Sequence, residues 1–381
     1  MQSEARWGAV FSIAFTISAL ITAELLPVSV LTPMASGLSV SEGLAGQSLT
    51  ATAFVAIFAS LMMTRVTKGI DRRVVVMAMT AVMVLSNVLV AAAPNFVALM
   101  LGRLLLGISL GGFWSMAASL TMRLVPEEDV PRALSIVFGG VSVSLVIAAP
   151  IGTMLEAALS WRAAFWFAVL VGVIALLWQW RTLPSLPAPD DAPTGVWPVT
   201  KRPGVAMAML CVLLSFAGQF AFFTYMRPFL EQQAHCDVTE LTTLLLIFGV
   251  ANFIGTSASS RVLGKKLVTT LMLAPFSLVV WALALMFFAT SPVTAGVLLV
   301  PWGLSFAVVP VGWSTWITRN VPDDAENAGG LQVATIQLAN TAGAAIGGVA
   351  LESGGVAAPL VVAAVVLFIA GALVWRFLPR S

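Results

Sequence analysis

The chain has 381 residues, of which 59% are hydrophobic and only 9% charged, whereas a soluble domain has about 25% charged residues. A formal net charge of +2 makes no case for a nucleic-acid partner. Cys211 lies in an apolar run and Cys236 in a short polar stretch, so neither a disulfide framework nor a metal spacing is present.

The first apolar run follows "MQSEARW", which lacks the basic region, short apolar stretch and small-residue cleavage site of a secretory signal. It is therefore expected to remain as a helix. Crossing the hydrocarbon core takes about 20 apolar residues. Windows of that length predict twelve spans, at roughly 9–31, 44–64, 74–93, 96–118, 133–155, 163–180, 205–227, 241–259, 268–289, 295–317, 329–350 and 357–377. With both termini cytoplasmic, sixteen of the nineteen Lys and Arg residues fall in cytoplasmic segments. Arg103, Arg162 and Arg227 fall elsewhere. The positive-inside rule predicts that orientation.

Between spans six and seven lies "RTLPSLPAPDDAPTGVWPVTKRP", a polar, Pro-rich linker over residues 181–203. It divides a six-helix half, 1–180, from a second, 204–381. The halves carry an echo: "FWSMAASLTMRLVPEED" (113–129) is similar to "GWSTWITRNVPDDAE" (312–326), each at the cytoplasmic end of the fourth span of its half. The expected fold is an all-α membrane protein of twelve transmembrane helices in two pseudo-symmetric halves. Parallel repeats of this kind build transporters with a binding site at the midplane.

"TAELLPVSVLTPMA" in span 1 and "GRLLLGISLGG" in span 4 resemble the drug and metabolite proton antiporters of the major facilitator superfamily. "SFAGQFAFFTYMRP", "WGLSFAVVPVGWSTWITR" and "QVATIQLANTAGAAIGG" resemble the purine ribonucleoside exporters within it. The loop "TRVTKGIDRR" keeps the family's Arg72 and Arg73, but Lys68 occupies its acidic position and Thr64 its glycine. In "GGVSVSLVIAAPIG" the antiporter motif keeps Pro150 and Gly152, with Ala149 in place of the Gly before the proline. The resemblance implies a multi-pass protein of the bacterial inner membrane. It would export inosine, guanosine, adenosine and their analogues in exchange for protons, with drug resistance as a consequence. It implies a monomer driven by the proton gradient, with no cofactor, no metal and no nucleic-acid partner.

Glu24 is the only acid placed well inside a span; the others fall in loops or at helix ends. An ionised acid at such a depth costs about 2.5–3.5 kcal/mol even on the lenient insertion scale. Glu24 is thus a candidate proton carrier, or else a neutral, hydrogen-bonded group that fixes packing beside Pro27. Arg103 is the sole deeply placed cation, and both residues lie about 10 Å below the outer boundary. The family resemblance links Arg103 to proton coupling; the alternative is a structural Arg capping backbone carbonyls. His235 reads as a loop residue.

Uncharged polar and aromatic groups within the spans are the second signal. Gln219 is followed by Phe222 and Phe223 on one helix face and then by Tyr225. Gln337 and Asn340 lie three apart beside Thr341, Asn252 is in span 8, Trp302 and Trp313 in span 10, and Trp114 in span 4. Amides read donors and acceptors while rings stack on a flat base, which suits a nucleoside. Membrane amides also join helices to one another, and each single residue fits either role. Gly107, Gly111, Gly112, Gly343, Gly347 and Gly348 are expected to permit close helix approach.

The expected function is proton-coupled export. No phosphate-binding loop exists for ATP drive. An enzyme would need a catalytic constellation that the spans lack, and a receptor would usually carry a signalling domain. A polyspecific drug/proton antiporter or a sugar exporter is the alternative within transport.

Overall fold

A computed structural model describes residues 5–188 and 195–378. Glu4, Asp190, Asp191 and Arg380, part of the charge pattern above, lie outside the described residues. The helices are α1 (Trp7–Ser29), α2 (Leu31–Gly37), α3 (Glu42–Val66), α4 (Arg72–Ala91), α5 (Phe96–Leu124), α6 (Val130–Ala158) and α7 (Trp161–Thr182). They continue with α8 (Trp197–Thr200), α9 (Val205–Phe223), α10 (Met226–Gln232), α11 (Val238–Phe288), α12 (Pro292–Asn320), α13 (Ala325–Gly354) and α14 (Ala358–Phe377). Twelve stretches of the described residues are long and apolar enough to cross a membrane, one for each predicted span.

Polar residues set the helix starts. Ser41 accepts from Leu44 N–H, Asp71 from Arg73 N–H and Asn95 from Ala98 N–H, each offsetting one orphan donor of a first turn. Asp237 and Glu240 form a reciprocal capping box at the start of α11. The predicted spans 241–259 and 268–289 share α11, which is broken at Lys266 (φ −142°, ψ 54°).

Prolines interrupt the first and seventh spans at matching places. α1 stops at Ser29, and Pro33 has no N–H to offer the Ser29 carbonyl. α9 stops at Phe223, and Pro228 has none for Thr224. The internal repeat therefore extends to these breaks, each leaving a short helix, α2 and α10, after the interruption.

By packing, the chain forms two units. The first is Met1–Val196 with Val321–Ala334, and the second is Trp197–Asn320 with Thr335–Ser381. The first turns of α13 thus pack within the first unit, although their sequence lies in the predicted second half. In the first unit, small residues bring backbones together: a Cβ on Gly107 would lie 2.6 Å from the Thr52 carbonyl, and Gly140 abuts the Ala14 carbonyl. Ser144 Oγ donates to the Ser18 carbonyl at 2.7 Å, joining α6 to α1. In the second unit, Gly343 and Gly347 of α13 rest on the Ala217 and Ala221 carbonyls of α9. The constant offset, together with Thr335 facing Met209, makes these two helices parallel. An apolar core of Phe222, Phe229, Phe248, Leu285 and Trp302 fills the space among α9, α10, α11 and α12.

Candidate functional site

Pro27 organises the first unit's charged site. Because it lacks an N–H, the Ala23 carbonyl four residues back has no donor from its own helix. Arg103, on α5 and 1% exposed, supplies one. Its Nη1 donates to Ala23 O at 2.9 Å and its Nη2 to Glu24 O at 3.1 Å. Thr52 Oγ1 donates in turn to the Arg103 carbonyl at 3.1 Å, tying α3 to the same point.

The guanidinium therefore binds the backbone at Glu24 and not its carboxylate. The carboxylate feels the Arg103 charge, makes no hydrogen bond among the described residues, and is only partly covered. A buried cation is costly unless polar groups compensate it; two carbonyls accept from Nη1 and Nη2 here, while Nε has no partner among the described residues.

Other predicted residues of this unit are dispersed. Trp114 is half-buried against Phe138, with ring centroids 5.3 Å apart. Pro150 lies on an exposed part of α6, and Gly152 beyond it packs on Ser29 at the end of α1. Of the other cations predicted to lie outside the cytoplasmic segments, Arg162 stacks on Trp161 and donates to Ala93 O at 3.0 Å.

Sequence reading missed two polar clusters. In one, Gln179 Nε2 donates to Thr16 at 2.8 Å and Gln179 Oε1 accepts from Thr80 at 2.9 Å, joining α1, α4 and α7 deep in the unit. Three uncharged residues in three apolar helices give no joint signal. In the other, Arg72 Nε reaches both Glu326 oxygens at 2.8 Å, and Nη2 reaches Oε2 at 2.7 Å. Thr64 donates to Asn327, whose Nδ2 donates to Asp324 at 2.7 Å. Glu326 stands just after "VPDD", at a helix start that reads as exposed; only its fold partner, 254 positions earlier, reveals its role.

The motif loop is also pinned from outside. Asp71 accepts from Leu186 N–H at 3.0 Å and from Ser185, and Leu186 O accepts from Arg72 N–H at 2.8 Å. Slight burial works to raise the Asp71 pKa, but the hydrogen bonds from Ser185, Leu186 and Arg73 outweigh it and hold the carboxyl below the usual range. Arg73 donates to Trp180 O at 2.6 Å. Lys68, at the family's acidic position, is exposed.

In the second unit, Gln219 Oε1 accepts from Trp302 Nε1 at 2.9 Å, and both side chains are buried. The indole can only donate, so it fixes which way the amide points. Phe222 stands edge-on to Trp302 at 5.2 Å, and Phe223 packs on Phe248 at 5.6 Å. Tyr225 OH donates to Ala344 O at 2.7 Å, and Asn252 Nδ2 contacts Gly303 O at 3.4 Å. Trp313 is buried beside Trp316.

Gln337 and Asn340 are half-buried on α13, and Asn340 Oδ1 is a buried acceptor with no partner among the described residues. Gln219 lies about 180° around α9 from the Ala217–Ala221 edge that carries α13. The amides of α9 and α13 therefore do not converge: Gln219 serves Trp302, while Asn340 keeps an unused acceptor. His235 is an exposed loop residue in the left-handed region, at φ 56°.

Comparison with known proteins agrees with this architecture. The sequence matches the family described as Major Facilitator Superfamily over residues 7–339. It is 51% identical, over 355 residues, to the "Purine ribonucleoside efflux pump NepI" of Salmonella enteritidis PT4, covering 93% of this chain and 89% of that one. The protein of the same name from Salmonella paratyphi A (strain ATCC 9150 / SARB42) is 50% identical over the same shares.

Among solved structures, the human organic anion transporter MFSD10 superposes with a TM-score of 0.79 at 17% identity, over 97% of this chain and 99% of that one. The proton:xylose symporter XylE superposes with a TM-score of 0.80 at 12% identity, over 100% and 97%. The twelve spans and the family match along most of the chain lead to one assignment: this is a multi-pass membrane transport protein that belongs to the major facilitator superfamily.

Proposed function

We propose that the protein exports purine ribonucleosides from the bacterial cytoplasm by alternating access, taking up protons in exchange, with both termini on the cytoplasmic side of the inner membrane. The observation that carries this reading is 51% identity along 93% of the chain to relatives named as purine ribonucleoside efflux pumps. The geometry at Glu24 supports the exchange. A partly covered carboxyl beside a cation that two backbone carbonyls hold in place can bind a proton from one side and release it to the other. Pro27 provides the irregular backbone that Arg103 grips.

In the second unit, the half-buried amides of α13 and the ring of Phe223 supply polar and stacking groups for a base and a ribose. Gln219 contributes through Trp302, by holding the aromatic core in place. The decisive experiment is proton movement in proteoliposomes loaded with a pH-sensitive dye. Added inosine should drive proton flux in the opposite direction, and a lipophilic cation should not. Proton flux with the cation alone would transfer the assignment to a drug antiporter.

A further inference from the structure

The start of α13 is held in the first unit by a buried ion pair, and that pair is held by the central linker. Arg72 places its guanidinium on Glu326 while Nη1 donates to Thr67 O at 2.8 Å and Ile70 O at 3.0 Å. A guanidinium gripped by three groups has one orientation. Its backbone is gripped as well. Arg72 N–H donates to Leu186 O, and Leu186 N–H donates to Asp71, so the segment after α7 lies along the loop between α3 and α4. Leu183 and Leu186 are buried, Ser185 donates to Asp71, and Arg123 donates to Pro187 O at 2.9 Å. Residues 183–188 are therefore a docked strap and not a free tether.

We propose that this strap is a built-in control of the transport cycle. Asp71 is a positioning residue that, through residues 183–188, keeps Arg72 on Glu326, and release of the strap frees the first turns of α13. The proposal extends the alternating-access reading, but it is tested without substrate.

The strap and the ion pair act in series. Thr64 on Asn327, and the close packing of Gly329 on Ser115 and of Gly330 on Ser60, lie under the same turns. Ser60 is 2% exposed and its carbonyl touches Gly330, so its exposure reports departure of α13. Loosening of the strap alone would leave it covered.

The test uses the full-length chain with Ser60→Cys, and with Cys211→Ser and Cys236→Ser to leave one thiol. The thiol is labelled from the cytoplasmic face by a membrane-impermeant maleimide. Glu326→Gln should raise the labelling rate about tenfold, and Asp71→Ala should raise it to a similar level. Asp71→Ala combined with Glu326→Gln should be no faster than Glu326→Gln alone, because both act through Arg72. Ser185→Ala, which removes an exposed hydroxyl, should move the rate in the same direction by less.

Effects of Asp71→Ala and Glu326→Gln that multiply would overturn the proposal, since the strap would then act elsewhere. Should Asp71→Ala not yield folded protein, Asp71→Asn and Ser185→Ala decide. Parental labelling rates in both would overturn the proposal, and faster labelling in both supports it. A protein that fails to move nucleosides but shows this pattern would refute the nucleoside assignment and keep the strap.

Discussion

Replacing Pro27 with Ala should make Arg103 far less necessary to the first helix. In the parent, the Ala23 carbonyl depends on Arg103 Nη1 at 2.9 Å, because position 27 offers no N–H. Arg103→Ala leaves that oxygen unpaired in a buried site, a loss of about 1–3 kcal/mol. The Glu24 carbonyl, which also accepts from Arg103 at 3.1 Å, has the Val28 N–H four residues on and loses less, about 1 kcal/mol. With Ala at 27, an N–H returns to Ala23 O, and the larger loss should vanish. The two substitutions should therefore couple by about 1–2 kcal/mol. The measurement is unfolding of purified parent, both single variants and the double variant by SDS titration in mixed micelles. Arg103→Lys should fall between parent and Arg103→Ala, because one ammonium cannot reproduce a planar fork. Additivity within about 0.5 kcal/mol would refute the reasoning and return Arg103 to a role set by the Glu24 carboxylate alone.

Other consequences are open to measurement. Glu24→Gln should abolish inosine export driven by a pH gradient while leaving insertion and binding intact, because Gln resembles the protonated acid; an unchanged driven rate would remove Glu24 from coupling. A neutral nucleoside exchanged for one proton moves one net charge, worth about 2.3 kcal/mol per 100 mV. Inosine flux in vesicles should therefore respond to a valinomycin-set potential without a pH difference, and indifference to voltage would count against one-for-one exchange. Gln219→Ala leaves the Trp302 indole N–H unpaired and should lower stability by about 1–3 kcal/mol, whereas Asn340→Ala should weaken inosine binding with little effect on unfolding; the reverse pattern would exchange their roles. The depressed Asp71 pKa implies that its contribution is present above the ordinary carboxylate value, about 3.9, and is lost as pH falls through its lower folded value. Cleavage of residues 183–188 by an acid-active protease should accordingly rise in that window in the parent, and Asp71→Asn should show no such rise.

The twelve spans were legible because lipid imposes a local rule: each crossing must satisfy its own backbone over about 20 apolar residues, and that rule is written in consecutive residues. The isolation of Glu24 and Arg103 was legible for the same reason, since a charge in an apolar run stands out by itself. The breaks after Ser29 and Phe223 were written in Pro33 and Pro228, though windows of hydropathy pass over them.

Only the tertiary structure decided what these groups touch. Sequence depth allowed Arg103 to meet the Glu24 carboxylate; the fold gave it the backbone carbonyl that Pro27 leaves open, a partner that carries no side-chain signature. Gln219 and Asn340 look alike as membrane amides, but helix rotation turns one onto Trp302 and leaves the other's acceptor unpaired. Glu326 reads as a solvated helix-start acid until folding sets it against Arg72. Hydrophobic burial is a sum over neighbouring residues and can be read along a chain, whereas a hydrogen bond depends on the distance and angle between residues far apart in it.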